Sequence, residues 1–292
     1  MKTLTVYTPA QLDSNDPPDL SFAAYRFLAE GDSWFTLSGL NPLQNSNLLF
    51  EMKFDQFACA VNCAHPGDTL AHMADISSDP VFEQILCGSR AMGWDGLLLS
   101  CGGNDLIDAL KAVGPDVPRA QRLLLPADEW GPVADGPARY LSPEGWQTFN
   151  TYLRANFAHI LALRDAGPSA GCPVFIHGYA CPTPRNAGAG LGLGPWLLPS
   201  LQAHGVPAGD WLPLAALLIR ELGALLAAIA ADDLRFPNVH FFDTSAIAID
   251  PAALDSSAAS GDWVNEIHLT RGGYRKLAVP WAAAIEQTMR AH

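Results

Sequence analysis

The sequence predicts an α/β protein, and three observations predict it. Five short apolar runs are bounded by Gly, Pro, Asn or Asp, and patterns of helical period separate them. Apolar residues make up 49% of the 292 and charged residues only 16%, enough for one large buried core. The runs at 25–29, 57–63, 97–101, 174–177 and 239–242 are continuous rather than alternating. That is the signature of parallel strands covered on both faces.

The helices follow from caps and stripes. Ser142-Pro143 opens one, because serine can accept from the first turn and proline there lacks only an N–H that would stay unpaired. Trp146, Phe149, Leu153, Phe157 and Ile160 carry it to about Asp165. The longest apolar stretch, 212–231, has Leu214, Leu217, Leu218, Leu222, Leu225, Leu226 and Ile229 at helical spacing. Arg220 and Glu221 at its centre make it a buried amphipathic helix and not a membrane span. Thr270 caps a last helix with the stripe Tyr274, Leu277, Trp281, Ile285, in which Pro280 predicts a kink.

Two stretches break the alternation. Residues 111–141 and 181–212 are rich in Pro, Gly and Trp, including Trp130, Trp196 and Trp211. They are expected to be insertions in a single domain spanning 1–292. Both follow predicted strands and are expected to roof the carboxyl edge of the sheet with an apolar wall. The Gly-rich run at 188–194 lacks the Lys-Ser/Thr of a phosphate loop.

Charge and cysteines exclude several function classes. The net charge of −13 and pI near 4.8 speak against a nucleic-acid partner and against docking on anionic membranes. Six cysteines are too few for a disulfide scaffold. Cys59, Cys101 and Cys172 read as core residues, and Cys172–Cys181 is a candidate disulfide for an exported chain. Cys59, Cys63 and His65 suggest metal ligands, but no second cluster completes four, so no metal is expected. Residues 1–10 do not read as a signal peptide, which gives a cytoplasmic expectation; a mature secreted chain would read the same.

The chemistry is carried by Gly31-Asp32-Ser33-Trp34, Gly102-Gly103-Asn104-Asp105 and His268. Serine is a weak nucleophile until a base takes its proton, and acyl transfer needs donors for the developing oxyanion. Ser33 follows the first predicted strand, Asn104 the third, and His268 precedes the last helix. Open α/β sheets place their active sites at such ends. Asp32 is expected to brace the turn around Ser33, and Asp105 to cap a helix beginning at Leu106. His177, closing the fourth strand, is the rival imidazole.

These blocks, in this order, resemble those of the SGNH (GDSL) esterase/lipase family. Gly31-Asp32-Ser33 is similar to its first block, Asn62 to Gly67 to its second, Gly102–Asp105 to its third, and His268-Leu269-Thr270 to its last. The resemblance spans residues 31 to 274. It implies a three-layer α/β/α sandwich with five parallel strands in the order 2-1-3-4-5. It also implies a cofactor-free serine esterase working through an acyl-enzyme, with Ser33 as nucleophile and His268 as base. Ser33 and Gly67 N–H groups and the Asn104 amide would hold the oxyanion. The family usually has an aspartate three residues before the histidine. Here that position is Asn265, which is the first choice to orient His268; Glu266, Asp262 or a backbone carbonyl are the alternatives. A small-molecule ester with a short or apolar acyl group is the expected substrate. A carbohydrate O-deacetylase, or a binding protein that kept the fold, are the other readings.

Overall fold

In the computed structural model, which describes residues 1–36, 45–75, 77, 79–114 and 116–291, six strands pair into one parallel sheet. They are β1 (Thr5–Tyr7), β2 (Tyr25–Gly31), β3 (Ala58–Asn62), β4 (Gly96–Ser100), β5 (Val174–His177) and β6 (Val239–Phe242). Their spatial order is β1-β3-β2-β4-β5-β6. The five expected strands are present in the expected order; the sixth, β1, corrects their number. It pairs with β3 through Thr5–Cys59, Val6–Ala60 and Tyr7–Val61. Three half-buried residues on an edge make too short a run to stand out in sequence, although Thr, Val and Tyr all favour extended backbone.

Helices flank this sheet: α1 (Pro80–Leu86), α2 (Gly103–Leu110), α3 (Pro143–Ala166), α4 (Leu198–Ala203), α5 (Trp211–Ala230) and α6 (Arg271–Ala291), with shorter turns between. The α3 start is the predicted one, with Ser142 Oγ accepting from Gly145 N–H at 3.1 Å. Phe149, Leu153, Phe157 and Ile160 of its stripe are buried. Helix α5 is long and apolar enough to cross a bilayer, and Leu214, Leu217, Leu218, Leu222 and Leu226 of its stripe are buried in the protein core. Thr270 Oγ1 accepts from Gly273 N–H at 3.2 Å, and α6 continues through Pro280 as one element. All six cysteines are free, so Cys172 and Cys181 are not bridged.

The parallel register brings three strand ends together. Gly31 at the end of β2 lies opposite Ser100 at the end of β4, and Ala29 lies opposite Asn62 at the end of β3. A Cβ on Gly31 would sit 2.7–2.9 Å from Ser100, so only glycine lets the two chains approach this closely. The segments that leave these ends are the three blocks picked out by sequence.

Candidate active site

Ser33 sits in the turn that leaves β2, and Asp32 holds that turn. One Asp32 carboxylate oxygen accepts from Trp34 N–H (2.9 Å) and Ser100 Oγ (2.7 Å), and the other from the Tyr179 hydroxyl (2.5 Å). Burial pushes the Asp32 carboxyl up to about 6, against the hydrogen bonds from Tyr179, Ser100 and Trp34 that pull it down. Its expected bracing role is what these contacts describe. Tyr179 and Ser100 were not legible in sequence, because their part depends on β4 ending beside β2 and on β5 ending beside β4.

His268 Nε2 lies 2.7 Å from Ser33 Oγ, and His268 Nδ1 lies 2.9 Å from Asn265 Oδ1. The same Asn265 atom faces His268 N–H at 2.9 Å and Ile267 N–H at 3.2 Å. Two backbone donors can share only an acceptor, so the amide turns its oxygen to the imidazole. Nδ1 therefore carries the ring proton, and Nε2 presents its lone pair to the serine. Burial pushes the His268 imidazole down to about 4, so it is neutral across ordinary pH.

The alternatives for orienting His268 are engaged elsewhere. Asp262 Oδ2 accepts from Lys276 Nζ (2.5 Å) and Asp250 N–H (2.8 Å). Glu266 is fully buried, and its carboxylate accepts from the N–H groups of Trp196, Leu197 (2.8 Å), Leu198 (2.8 Å) and Arg185 (3.3 Å). It thus occupies the N-terminus of α4, where donors would otherwise be unpaired. Arg185 completes the clamp, donating to the carbonyls of Ser256 (2.7 Å), Ala258 (2.6 Å) and Asn265 (2.8 Å). Glu266 and Arg185 bind the 181–212 insertion to the loop that carries Asn265 and His268. His177, the rival imidazole, lies in the core, stacked on Trp34 at 5.7 Å with Nδ1 on the Gly178 carbonyl (2.7 Å).

The other two blocks meet at one hydrogen bond. Asn104 Nδ2 donates to the Asp68 carbonyl at 3.0 Å. Asp68 ends a turn closed by its own N–H on the His65 carbonyl (3.3 Å), with Pro66 and then Gly67 at φ +92°. Proline followed by a left-handed glycine is the type II arrangement. Asp105 does not cap a helix at Leu106, as expected. The helix begins at Gly103, and Asp105 is buried in its first turn, accepting from Leu70 N–H (3.1 Å) and the Tyr152 hydroxyl (2.8 Å). It fastens the end of the Gly67 loop to α2.

A cavity of about 50 Å³ opens beside Ser33 and Asn104. Leu106 and Ile107 of α2, Ala215, Leu218 and Ile219 of α5, and Pro182, Leu197 and Trp34 make its walls apolar. The expected roof is half right. The 181–212 insertion contributes Pro182 and Leu197, and Trp196 stands edge-on to the His268 ring at 5.3 Å. No described residue of 111–141, in which residue 115 lies outside the described residues, lines this cavity. That stretch closes on itself instead: Trp130 packs edge-on against Tyr140 at 4.9 Å and donates to the Leu125 carbonyl at 3.0 Å. Tyr140 in turn donates to Asp210, just before α5.

A scan against protein-family models finds no match to this chain, and a search of curated proteins finds none either. Solved structures do match. The extracellular lipase of Streptomyces rimosus is 16% identical, covers 89% of this chain and 99% of its own, and superposes with a TM-score of 0.51. The carbohydrate acetylesterase Est24 of Sinorhizobium meliloti is 13% identical over 90% and 99%, with a TM-score of 0.49. Phospholipase A1 of Streptomyces albidoflavus is 15% identical over 90% and 99%, again at 0.49. At such identities the likeness speaks for the fold, and the lipase of S. rimosus carries it.

Proposed function

On the SGNH-hydrolase fold that this chain carries, we propose a serine esterase that cleaves short-chain carboxylic esters through an acyl-enzyme. One observation supports this reading above the others: the continuous path Asn265–His268–Ser33 at the mouth of an apolar cavity. His268 Nε2 takes the hydroxyl proton as Ser33 Oγ bonds to the ester carbon, and the carbonyl electron pair moves onto oxygen. The N–H groups of Ser33 and Gly67 and the Asn104 amide hold that oxyanion. Asn104 uses one amide hydrogen on Asp68 and keeps the second for substrate. The oxyanion collapses, the alkoxide leaves with the proton from His268, and water repeats the sequence to free the acid. No step calls for a cofactor.

The cavity size supports a short acyl group. Its volume is about 50 Å³ and its walls are apolar. p-Nitrophenyl acetate should be hydrolysed with a kcat/KM at least about tenfold above that of the octanoate, since each surplus methylene in a tight pocket is rejected by roughly that factor. Octanoate turned over equally well would remove the short-chain assignment. Failure to hydrolyse any ester would remove the esterase and favour a binding protein on the same fold.

Asn265 sets the pH behaviour. An amide oxygen accepts from Nδ1–H but adds no charge to stabilise an imidazolium, and burial already holds His268 near 4. The base is competent when neutral, so activity should persist down to about pH 4 and fall as pH drops through that value. Asn265→Asp would place a carboxylate against the ring, already supported by two backbone N–H groups. The acid limb of kcat/KM should then move up by about one to three units, with activity at pH 8 kept or raised. An unmoved limb would mean that residue 265 does not act through His268.

A further inference from the structure

We propose that Glu30, His65, Asp68 and Asp79 form a binding site for a divalent transition-metal ion, Zn²⁺ before others, behind the Pro66-Gly67 turn. One donor atom from each residue lies within 4.8 Å of all the others. His65 Nδ1 is 3.6 Å from Asp68 Oδ2 and 3.7 Å from Asp79 Oδ2. Donors about 2.0–2.2 Å from a tetrahedral ion stand roughly 3.3–3.6 Å apart, so this face needs little closing.

The independent sign of a ligand is the state of the two interior carboxylates. Glu30 is fully buried and Asp79 nearly so. Each has one oxygen in use: Glu30 Oε1 accepts from Gly31 N–H at 2.7 Å, and Asp79 Oδ1 from Val81 and Phe82 N–H at 3.1 and 3.0 Å. Their other oxygens, Glu30 Oε2 and Asp79 Oδ2, are buried with no donor to accept from, and the two carboxyls face each other. Such atoms are scarce in native proteins, and carboxylates gathered in the interior repel unless a proton or a cation lies between them. Asp68 and the exposed His65 open the set toward solvent, which provides an entry path.

One imidazole with three carboxylates suits Zn²⁺ or Mn²⁺, whereas Ca²⁺ prefers six to eight oxygens. The sequence expectation of no metal weighed His65 with Cys59 and Cys63. Neither cysteine belongs to this cluster, whose carboxylates come from strand β2, from the end of the Pro66-Gly67 turn and from the cap of α1. The ion would tie the two ends of the Pro66-Gly67 turn to the strand that leads into Ser33. Its role as a brace for the oxyanion donors rests on the esterase reading; its binding does not.

The test uses the full chain, stripped with chelator and titrated calorimetrically with ZnCl₂, MnCl₂ or CaCl₂ in the absence of ester. A single Zn²⁺ should bind with Kd at or below about 1 μM and raise Tm, with Mn²⁺ weaker and Ca²⁺ weakest. Asp79→Asn and His65→Ala should each weaken Zn²⁺ at least about tenfold. His65 is exposed, so its variant tests the site even if the buried change prevents folding. No binding at 100-fold that concentration would mean that Glu30 and Asp79 share a proton, and the proposal would be wrong. It would be equally wrong if both folded variants bound Zn²⁺ like the parent. An inactive protein that still binds Zn²⁺ through these residues would fault only the esterase reading.

Discussion

Ser33→Ala is expected to lower kcat/KM for p-nitrophenyl acetate by at least about 10⁴-fold, with Tm within about 2 °C of the parent. In the proposed mechanism the change removes the oxygen that bonds the acyl carbon. His268→Ala should be nearly as damaging, because the hydroxyl at 2.7 Å then has no base. Groups that act as one unit are not additive, so the double variant should be little worse than either single one. Folding should hardly respond, since the substitution deletes one hydroxyl and one hydrogen bond, worth about 1 kcal/mol. The remaining donors would leave a small residual rate. If Ser33→Ala kept more than a tenth of the activity, neither the nucleophile nor the mechanism would stand.

The second large effect falls on a residue outside the reacting path. Glu266→Ala should destabilise the protein by about 3–5 kcal/mol, because it strands the buried N–H groups of Leu197 and Leu198 and the half-buried one of Trp196, which now share one carboxylate. For a chain of this size that is a fall in Tm of roughly 5–8 °C. Activity should fall too, as Asn265 and His268 flank the same loop. Glu266→Gln separates the roles. The amide keeps one acceptor oxygen and should recover part of the stability. If Glu266 were the hidden acid, the amide variant would instead be folded, fully stable and without activity.

What could be read from the sequence was what repeats or sits in a block. The continuous runs at 97–99 and 174–177 announce buried strands, and the Ser142-Pro143 start of α3 needs only its own residues to be recognised. Ser33 and His268 were legible because their neighbours repeat a known order of blocks, although they lie 2.7 Å apart across most of the chain. The errors share one cause. Asp105 looks like a cap because local spacing cannot show that Leu70 N–H will arrive from another loop. Glu266, an alternative to the favoured Asn265 and not an error, stays open for the same reason until the 181–212 insertion folds back onto it. The aromatic residues of 111–141 resemble a pocket wall, but they pack on one another, and only the tertiary contacts distinguish those outcomes. Strand β1 was too short to leave a periodic trace.

The amide at position 265 has an electrostatic consequence for the proposed reaction. With an aspartate, the assembly would hold a net negative charge throughout. With Asn265 it starts uncharged and becomes a zwitterion, a negative oxygen near Asn104 and a positive ring at His268. Each pole is then the nearest counter-charge of the other, inside apolar walls where such attraction is strong. The ring's own hydrogen-bond partner is then an amide oxygen and not a carboxylate, so the cation's stability depends more on how well the opposite pole is held. Loosening the Asp68–Asn104 contact would therefore weaken both poles at once.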